Sequence, residues 1–492
     1  MYIRPMSANP DTAELDPGAL PARVGWANDT SLFASRVAVI FATKIGVFLM
    51  GGATLFLVAA LLDSKSTGEY GLLQIWIGML FAFGQLGMPS AMTFTAGRGG
   101  SVAALQRIAI GLTIAQSVAV AAIAIAAMPF LQDSVLKALS GNSATTSSDL
   151  LIIVLAAVPM LLMSQFGAGV LYTHGLNRAY NRIQLLVAAS MLILTAILIG
   201  FLPLGVGGAV AAYLAANAAG AAIVVYEINK LARRSKDAAS EPVSVKAFAS
   251  YGLKLYPQSI TTFFSYRADV LLLSWLLGIP GLSQIAYYNI AVKIAEMTFY
   301  VPDSIAAMLY PAISASTKAE ADKLATSVSR LAMLLTFLVA VALVPVGCMA
   351  IWFLLRHEYH AAIPALLVIM PGILSLSLSK VLACYVSGLG RPVATTAAGL
   401  VGLSVNLAAN LILIPRFGIV GASAASLISY SCHAAILLLV ASRWAKVSPL
   451  AFIVPRRAEF VRVWGTVLAV VEMVRMRATR RGRPAGGPAV GR

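Results

Sequence analysis

The sequence predicts an all-α polytopic membrane protein, with about twelve transmembrane helices in two pseudo-symmetric six-helix lobes around a central cavity. Of its 492 residues, 59% are hydrophobic and only 11% are charged, whereas about a quarter of the residues of a soluble protein are charged. The apolar residues also fall into blocks of roughly 20 or more, the length at which a helix crosses a bilayer. A motif that recurs in the second half of the chain indicates the two lobes.

Twelve apolar blocks are expected to form the membrane spans. They lie at about 36–62, 70–92, 103–130, 150–172, 182–202, 206–228, 251–277, 285–311, 327–353, 361–385, 393–414 and 418–442. The first six spans would form an N-lobe and the last six a C-lobe. The predicted division of the chain is therefore an N-terminal tail, N-lobe, linker, C-lobe and basic C-terminal tail, at 1–35, 36–228, 229–250, 251–442 and 443–492.

The distribution of Lys and Arg predicts the orientation of these spans. Basic residues are concentrated in the two tails and in the even-numbered loops, which places these parts and both termini in the cytoplasm. The C-terminal tail would add an interfacial helix at 460–475 and a basic end that suits anionic lipid headgroups. The net charge of +17 is thus explained by the membrane, without a nucleic-acid partner.

An internal repeat supports the two-lobe interpretation. The stretch YTHGLNR at 172–178 matches YVSGLGR at 385–391, and the same offset aligns GVGGAVAAYL at 205–214 with GIVGASAASL at 418–427. Six spans separate the copies. With an even number of spans between them, both copies cross the membrane in the same direction. We therefore expect parallel repeats related by an axis along the membrane normal.

Motifs for catalysis or metal binding are weak. HEYH at 357–360 is one residue short of a zinc-protease HExxH, GRGGS at 97–101 lacks the Lys-Ser/Thr of a P-loop, and the three cysteines have no metal-ligand spacing. We therefore predict no catalytic residues, no metal and no cofactor. An enzyme is disfavoured, although a membrane glycosyltransferase or ligase need not carry such a motif.

Charged residues within the spans are the candidate functional residues, because each costs about 2.5–3.5 kcal/mol at the centre of an inserted helix. The bases are Lys44, Lys254, Arg267, Lys293 and Lys380, and the acids are Asp269, Glu296 and Asp303. Lys254 and Lys380 lie near cytoplasmic ends, at the expected cavity mouth, and can snorkel to the surface. Pro257 interrupts span 7 and is the predicted hinge.

Arg267 is too far from either end of span 7 to snorkel, and Lys293 and Glu296 of span 8 fall at a similar depth. The spacing of Lys293, Glu296, Tyr300 and Asp303 predicts one polar stripe along span 8. Arg267 and Asp269 are about 200° apart around their helix, so we expect only one of them to meet span 8.

Two interpretations of these charges remain open. They could form structural ion pairs, Arg267 with Glu296 and Lys293 with Asp269, that clamp spans 7 and 8. Alternatively, they could line a hydrated cavity that binds an anion, with Lys44 contributing from the other lobe. A phosphate or pyrophosphate suits the planar donor fork of Arg.

The segments NLILIPRFGIVGASAASLISY at 410–430, YRADVLLL and AYYNIAVKIAE resemble the polysaccharide and O-antigen flippases. These Wzx-type proteins belong to the MOP superfamily, which also holds lipid II flippases and MATE transporters. The resemblance covers roughly residues 35–440. It implies alternating access around a central cavity of a bacterial inner-membrane protein. It also implies a substrate, an oligosaccharide on undecaprenyl pyrophosphate that moves from the cytoplasmic to the outer leaflet, and a polysaccharide polymerase machinery as partner.

Carried over onto this chain, the resemblance assigns pyrophosphate binding to Arg267 and Lys293, with Lys44 assisting. Asp269, Glu296 and Asp303 would balance the charge of the cavity. One of these acids, with Glu296 as first candidate, would carry a coupling proton or sodium ion. The alternative is a multidrug/cation antiporter of the same fold, which five bases against three acids disfavour.

Overall fold

The computed structural model describes residues 30–97, 101–131, 147–174, 176–234, 244–278, 281–314 and 316–456. Within these ranges the regular structure is helical, and no strand is present. The interfacial helix predicted at 460–475 and most of both predicted tails lie outside them. The helices are α1 (Thr30–Leu61), α2 (Ser64–Gly84), α3 (Met88–Gly97), α4 (Val102–Leu131), α5 (Ser147–Thr173), α6 (Asn177–Thr195), α7 (Gly205–Arg234), α8 (Val245–Leu277), α9 (Leu282–Glu296), α10 (Tyr300–Ser314), α11 (Lys318–Leu354), α12 (Ala362–Gly388), α13 (Pro392–Ala445) and α14 (Leu450–Ile453).

Nine helices in the described ranges are long and apolar enough to cross a membrane, and α2 with α3 makes a tenth span that is bent by 57°. The predicted span 8 is built from α9 and α10, joined by a 3₁₀ turn at Met297–Phe299, and neither helix is long enough alone. The remaining difference from twelve comes from α13, which holds two predicted spans. The chain is thus a multi-span membrane protein whose described regular structure is helical, as predicted.

Helix α13 is a hairpin of two spans rather than one long rod. At about 1.5 Å per residue its 54 residues would extend roughly 80 Å, far beyond a hydrocarbon core of about 30 Å. Gly418 has φ 55° and ψ −131°, which breaks the helix after Phe417. The hydroxyl of Ser429 donates to the carbonyl of Gly402 at 2.8 Å, so the two halves pack against each other.

The two copies of the internal repeat share their backbone geometry. Gly205 and Gly418 occupy equivalent repeat positions, and both have φ near +55 to +59°, a region that favours glycine. Three residues later, a Cβ on Gly208 would lie 2.8 Å from the carbonyl oxygen of Leu198, and one on Gly421 would lie 2.2 Å from that of Leu413. The two copies of the repeat thus place their glycines in the same way, and the division into lobes 36–228 and 251–442 stays a prediction.

Helix α2 joins the two halves of the chain by packing on α9. A Cβ on Gly68 would lie 1.8 Å from the carbonyl oxygen of Leu282, so only glycine permits this approach. At the start of α2 the hydroxyl of Ser64 lies 3.0 Å from that of Ser283 and donates to Glu358 at 2.9 Å. This contact brings the polar face of α9 beside α2, where the candidate site lies.

Helix α3 makes a second contact between the halves, on α8. The bend between α2 and α3 contains Gly87 with φ 70°, and a Cβ there would lie 2.0 Å from the carbonyl oxygen of Gly252. The ring of Phe94 stacks on that of Tyr251, with centroids 4.2 Å apart. One buried apolar cluster, which includes Leu72 and Tyr288, also draws on both halves. The halves therefore form one packed body.

Candidate functional site

A cavity of about 540 Å³ lies between the two halves of the chain. Its walls come from α1, α2, α6 and α7 on one side and from α9, the 3₁₀ turn and α10 on the other. A smaller cavity of about 270 Å³ adjoins it. The residues that line both cavities are Leu55, Tyr70, Gln74, Tyr213 and Lys293.

The polar stripe predicted along span 8 is confirmed. Lys293, Glu296, Tyr300 and Asp303 all line the larger cavity. The 3₁₀ turn between α9 and α10 passes from one helix to the next without a break, so the four side chains stay on one face. This stripe contains the charged residues that line the larger cavity within the described ranges.

Two cations share one carboxylate at the cavity wall. The guanidinium of Arg267 donates to both oxygens of Glu296, at 3.0 and 3.4 Å, and Nζ of Lys293 lies 3.3 Å from Glu296 Oε2. Arg267 reaches the smaller cavity, and Lys293 lines both. The side chain of Lys293 is 48% exposed, against 17% for Glu296. The formal charge of this cationic cluster, Arg267, Lys293 and Glu296, is therefore +1.

Asp269 has different partners from those expected. It is 3% exposed and accepts hydrogen bonds from the hydroxyl of Tyr288, the backbone N–H of Val270 at 2.8 Å and the hydroxyl of Ser426 at 3.3 Å. The predicted pairing with Lys293 is not formed, because Lys293 turns to Glu296 instead. Asp269 lines neither of the two cavities.

The expectation that only one of Arg267 and Asp269 meets span 8 was wrong. Arg267 contacts Glu296 and Asp269 contacts Tyr288, and both partners lie on α9. The angular argument did not anticipate how far each side chain reaches. A long guanidinium extends along the helix surface, and a tyrosine of the partner helix extends back to a short carboxylate.

Lys380 turns inward rather than snorkelling to a helix end. Its Nζ lies 2.7 Å from Asp303 Oδ1 and 4.0 Å from the ring centroid of Phe299, and both residues line the larger cavity. The ring of Tyr266 is 5.8 Å away. A cation over aromatic faces with a carboxylate partner is stabilised without reaching water. Lys380 therefore lies outside the cavity and stabilises Asp303 and Phe299 in its wall.

The other predicted cations lie apart from the cavities. Lys44 on α1 and Lys254 on α8 are exposed, and neither lines either cavity. Pro257 lies inside α8, which continues through it from Val245 to Leu277. The hydroxyl of Thr261 donates to the carbonyl of Pro257 at 2.9 Å. The role of Pro257 as a hinge stays a prediction.

Sequence reasoning missed the opposite wall of the larger cavity, which carries neutral amides and tyrosines. Gln74, Gln184 and Asn217 line it from α2, α6 and α7, together with Tyr70 and Tyr213. A signal was present, because YGLLQ at 70–74, YNRIQ at 180–184 and YLAAN at 213–217 repeat a tyrosine followed four residues later by an amide. A search restricted to charges passes over this pattern.

No protein-family model matches the chain. An uncharacterized membrane protein of Methanocaldococcus jannaschii is 30% identical over 176 residues, covering 33% of this chain and 34% of that protein. The match thus spans about a third of that relative's length.

Solved structures match over most of the chain. The lipid II flippase MurJ, in an inward closed conformation, has a TM-score of 0.65 at 13% identity over 84% of this chain and 89% of its own. A multidrug resistance MATE family transporter of the MOP superfamily, in an inward-facing conformation, has a TM-score of 0.57 at 16% identity over 85% of this chain and 98% of its own.

The chain has the fold of these flippases and transporters. The MOP-type fold expected from the sequence is thereby confirmed. In this chain, the cationic cluster lies where the two cavities adjoin: Glu296 lines the larger, Arg267 the smaller and Lys293 both. The neutral amides lie on the other wall of the larger cavity.

Proposed function

We propose that this protein is a flippase that moves an oligosaccharide repeat unit on undecaprenyl pyrophosphate from the cytoplasmic to the outer leaflet of a bacterial inner membrane. It would act by alternating access and supply O-antigen or exopolysaccharide assembly, rather than catalyse a reaction. Both termini would be cytoplasmic, and the basic C-terminal tail would contact anionic headgroups. The polymerase machinery would receive the flipped product.

The observation that carries the proposal is the cationic cluster, which lies where the two adjoining cavities meet. The guanidinium of Arg267 forms a bidentate pair with the two oxygens of Glu296. The same geometry fits two oxygens of a phosphate. Lys293 is half exposed to the space where such a group would enter. Because two cations share one carboxylate, the cluster has an excess positive charge that an entering anion can balance.

The size of the cavity fits part of such a substrate. A volume of about 540 Å³ lies within the range of about 300–1,000 Å³ that is usual for ligand pockets. The headgroup would occupy the cavity, while the long isoprenoid chain stays in the lipid. Glu296, released from Arg267 on substrate binding, is then placed to take up a coupling proton or sodium ion.

The test is the Arg267→Ala variant, introduced into the source organism after deletion of its own gene. Surface polysaccharide should be lost while the variant protein reaches the membrane at the normal level. Lys254→Ala is the matched control, because Lys254 is an exposed base on the same helix and lines neither cavity. Normal export with Arg267→Ala would contradict the pyrophosphate assignment. Activity of Arg267→Lys would indicate that charge suffices without the bidentate fork.

A multidrug/cation antiporter is the second candidate, and one observation favours it. Glu296 and Asp303 both line the larger cavity, where carboxylates could attract a cationic drug. In that case Glu296→Gln should abolish efflux of ethidium from cells, and deletion of the gene should leave surface polysaccharide unchanged. The flippase proposal expects instead that Glu296→Gln leaves ethidium efflux unchanged and that deletion of the gene removes surface polysaccharide.

A further inference from the structure

The two walls of the larger cavity differ in chemistry. Within the described ranges, its charged lining residues are Lys293, Glu296 and Asp303, all on the α9–α10 side. The α2, α6 and α7 side presents neutral hydrogen-bonding groups. We call Gln74, Gln184 and Asn217 the amide wall. Because each amide offers both a donor and an acceptor and carries no charge, this wall suits a neutral polar ligand.

Each amide of this wall is held by the residue four positions earlier. Nε2 of Gln74 donates to the hydroxyl of Tyr70 at 2.8 Å, and Nε2 of Gln184 donates to the hydroxyl of Tyr180 at 2.6 Å. Nδ2 of Asn217 donates to the backbone carbonyl of Tyr213 at 2.8 Å. One amide hydrogen is used in each case, which fixes the side chain and leaves the carbonyl oxygen and the second hydrogen for a ligand.

Fixed amides and tyrosine hydroxyls suit a carbohydrate. A sugar hydroxyl both donates and accepts, and a side-chain amide offers one acceptor and one donor in a plane. Because the amides are already ordered, the loss of side-chain entropy on binding is small. Tyr70 and Tyr213 add aromatic rings beside the amides. Sugar rings can pack their apolar faces on such rings.

We propose that the amide wall is the glycan subsite, with Gln74, Tyr70 and Tyr213 next to the first sugar. The inference rests on the proposed function, since it takes the cationic cluster as the pyrophosphate site. Lys293 lines both cavities together with Tyr70, Gln74 and Tyr213. A pyrophosphate at Lys293 therefore places the sugar bonded to it against these three side chains. Gln184 and Asn217 line only the larger cavity, where they would contact later sugars.

The experiment compares two lipids on the purified full-length protein in nanodiscs. One is undecaprenyl pyrophosphate, and the other is the lipid-linked oligosaccharide extracted from the source organism. The Gln74→Met variant keeps the side-chain length but removes the amide. It should weaken binding of the glycolipid by about fivefold, the usual effect of one hydrogen bond, and leave binding of undecaprenyl pyrophosphate unchanged. Asn217→Leu is a second variant with the same expectation.

Gln106→Met is the matched control, since Gln106 bonds to Asn229 and lines neither cavity. It should change neither affinity. An equal loss for both lipids with Gln74→Met and Asn217→Leu, or no loss for either, would overturn the glycan subsite. If Arg267→Ala binds undecaprenyl pyrophosphate as tightly as the natural protein, the proposed function fails instead. Because undecaprenyl pyrophosphate lacks the glycan, its binding reports on the cationic cluster alone, and the two failures are distinguishable.

Discussion

Arg267 and Asp269 lie two positions apart on the same helix, yet their surroundings have little in common. The guanidinium of Arg267 reaches a cavity and shares Glu296 with a half-exposed lysine. The carboxylate of Asp269 is enclosed by Tyr288, Ser426 and its own backbone, and lines no described cavity. Both charges are costly in hydrocarbon, and each is stabilised by different means.

From this difference we infer that a charged residue within the membrane is a functional candidate when it borders a cavity, where a ligand can replace its ion-pair partner. Arg267 and Glu296 border open space, so a ligand can replace either partner. Asp269 accepts from donors contributed by α9 and α13 and ties three spans together. We therefore expect substitutions at Arg267 to act on export and substitutions at Asp269 to act on stability.

The largest effect is expected from reversing the cavity pair. The double variant Arg267→Glu/Glu296→Arg re-forms the ion pair between the two helices but puts a second cation beside Lys293. Its thermal stability in detergent should therefore fall only slightly. Export should nevertheless fall by about a hundredfold, the cost of losing roughly two charge-assisted hydrogen bonds to a substrate, because the cation has moved. Surface polysaccharide is the measurement. Restored export would instead identify the pair as a structural clamp.

The next effect concerns the enclosed carboxylate. Asp269→Ala leaves the hydroxyls of Tyr288 and Ser426 without their acceptor, which should lower the free energy of unfolding by about 2 kcal/mol. Thermal unfolding in detergent measures this loss, and Asp269→Asn is the control because its amide oxygen can still accept. Arg267→Ala should be milder, since Lys293 still pairs with Glu296. If Arg267→Ala lowered the free energy of unfolding more than Asp269→Ala does, Arg267 rather than Asp269 would be the structural residue.

A smaller effect, of opposite sign, is expected at Glu296. The Glu296→Gln variant removes the carboxylate that competes with an incoming anion for Arg267 and Lys293. Binding of undecaprenyl pyrophosphate in nanodiscs should tighten by about tenfold, the gain from one charge-assisted bond that need not be broken. Glu227→Gln is the control, because Glu227 is an acid on α7 that lines neither cavity. Weaker binding would mean that Glu296 orients the cations rather than competing with the ligand.

The smallest effect is expected at Lys380, which combines features of both residues. Its partner Asp303 lines the cavity, but Lys380 itself sits behind the wall over Phe299. Lys380→Met keeps the apolar stem, so export should fall by no more than about threefold, as for a partly exposed ion pair. Unfolding temperature should stay within a few degrees. Complete loss of export would place Lys380 in the binding site itself.

Much of one wall of the site could be predicted from the sequence. The spacing of Lys293, Glu296, Tyr300 and Asp303 follows the helical period. Arg267 and Glu296 fall at a similar depth in adjacent spans, which places them near each other. The polar stripe and the proximity of Arg267 to Glu296 could both be predicted because they depend only on helix geometry and on the cost of charge in lipid. The amide wall escaped prediction because neutral amides carry no such cost. The recurring tyrosine and amide four residues apart marks these residues, but the pattern alone does not say whether they face a cavity or a neighbouring helix.

The sequence by itself determined the membrane class, the positions of the twelve apolar blocks and the repeat, because hydrophobic length and periodicity act locally along the chain. Only the tertiary structure decided which partner each charge takes. Asp269 pairs with Tyr288 and Ser426, and Lys380 turns inward to Asp303, because helix packing sets which distant side chains come within hydrogen-bond reach. That packing depends in turn on single close approaches, such as Gly68 against Leu282, which periodicity does not encode.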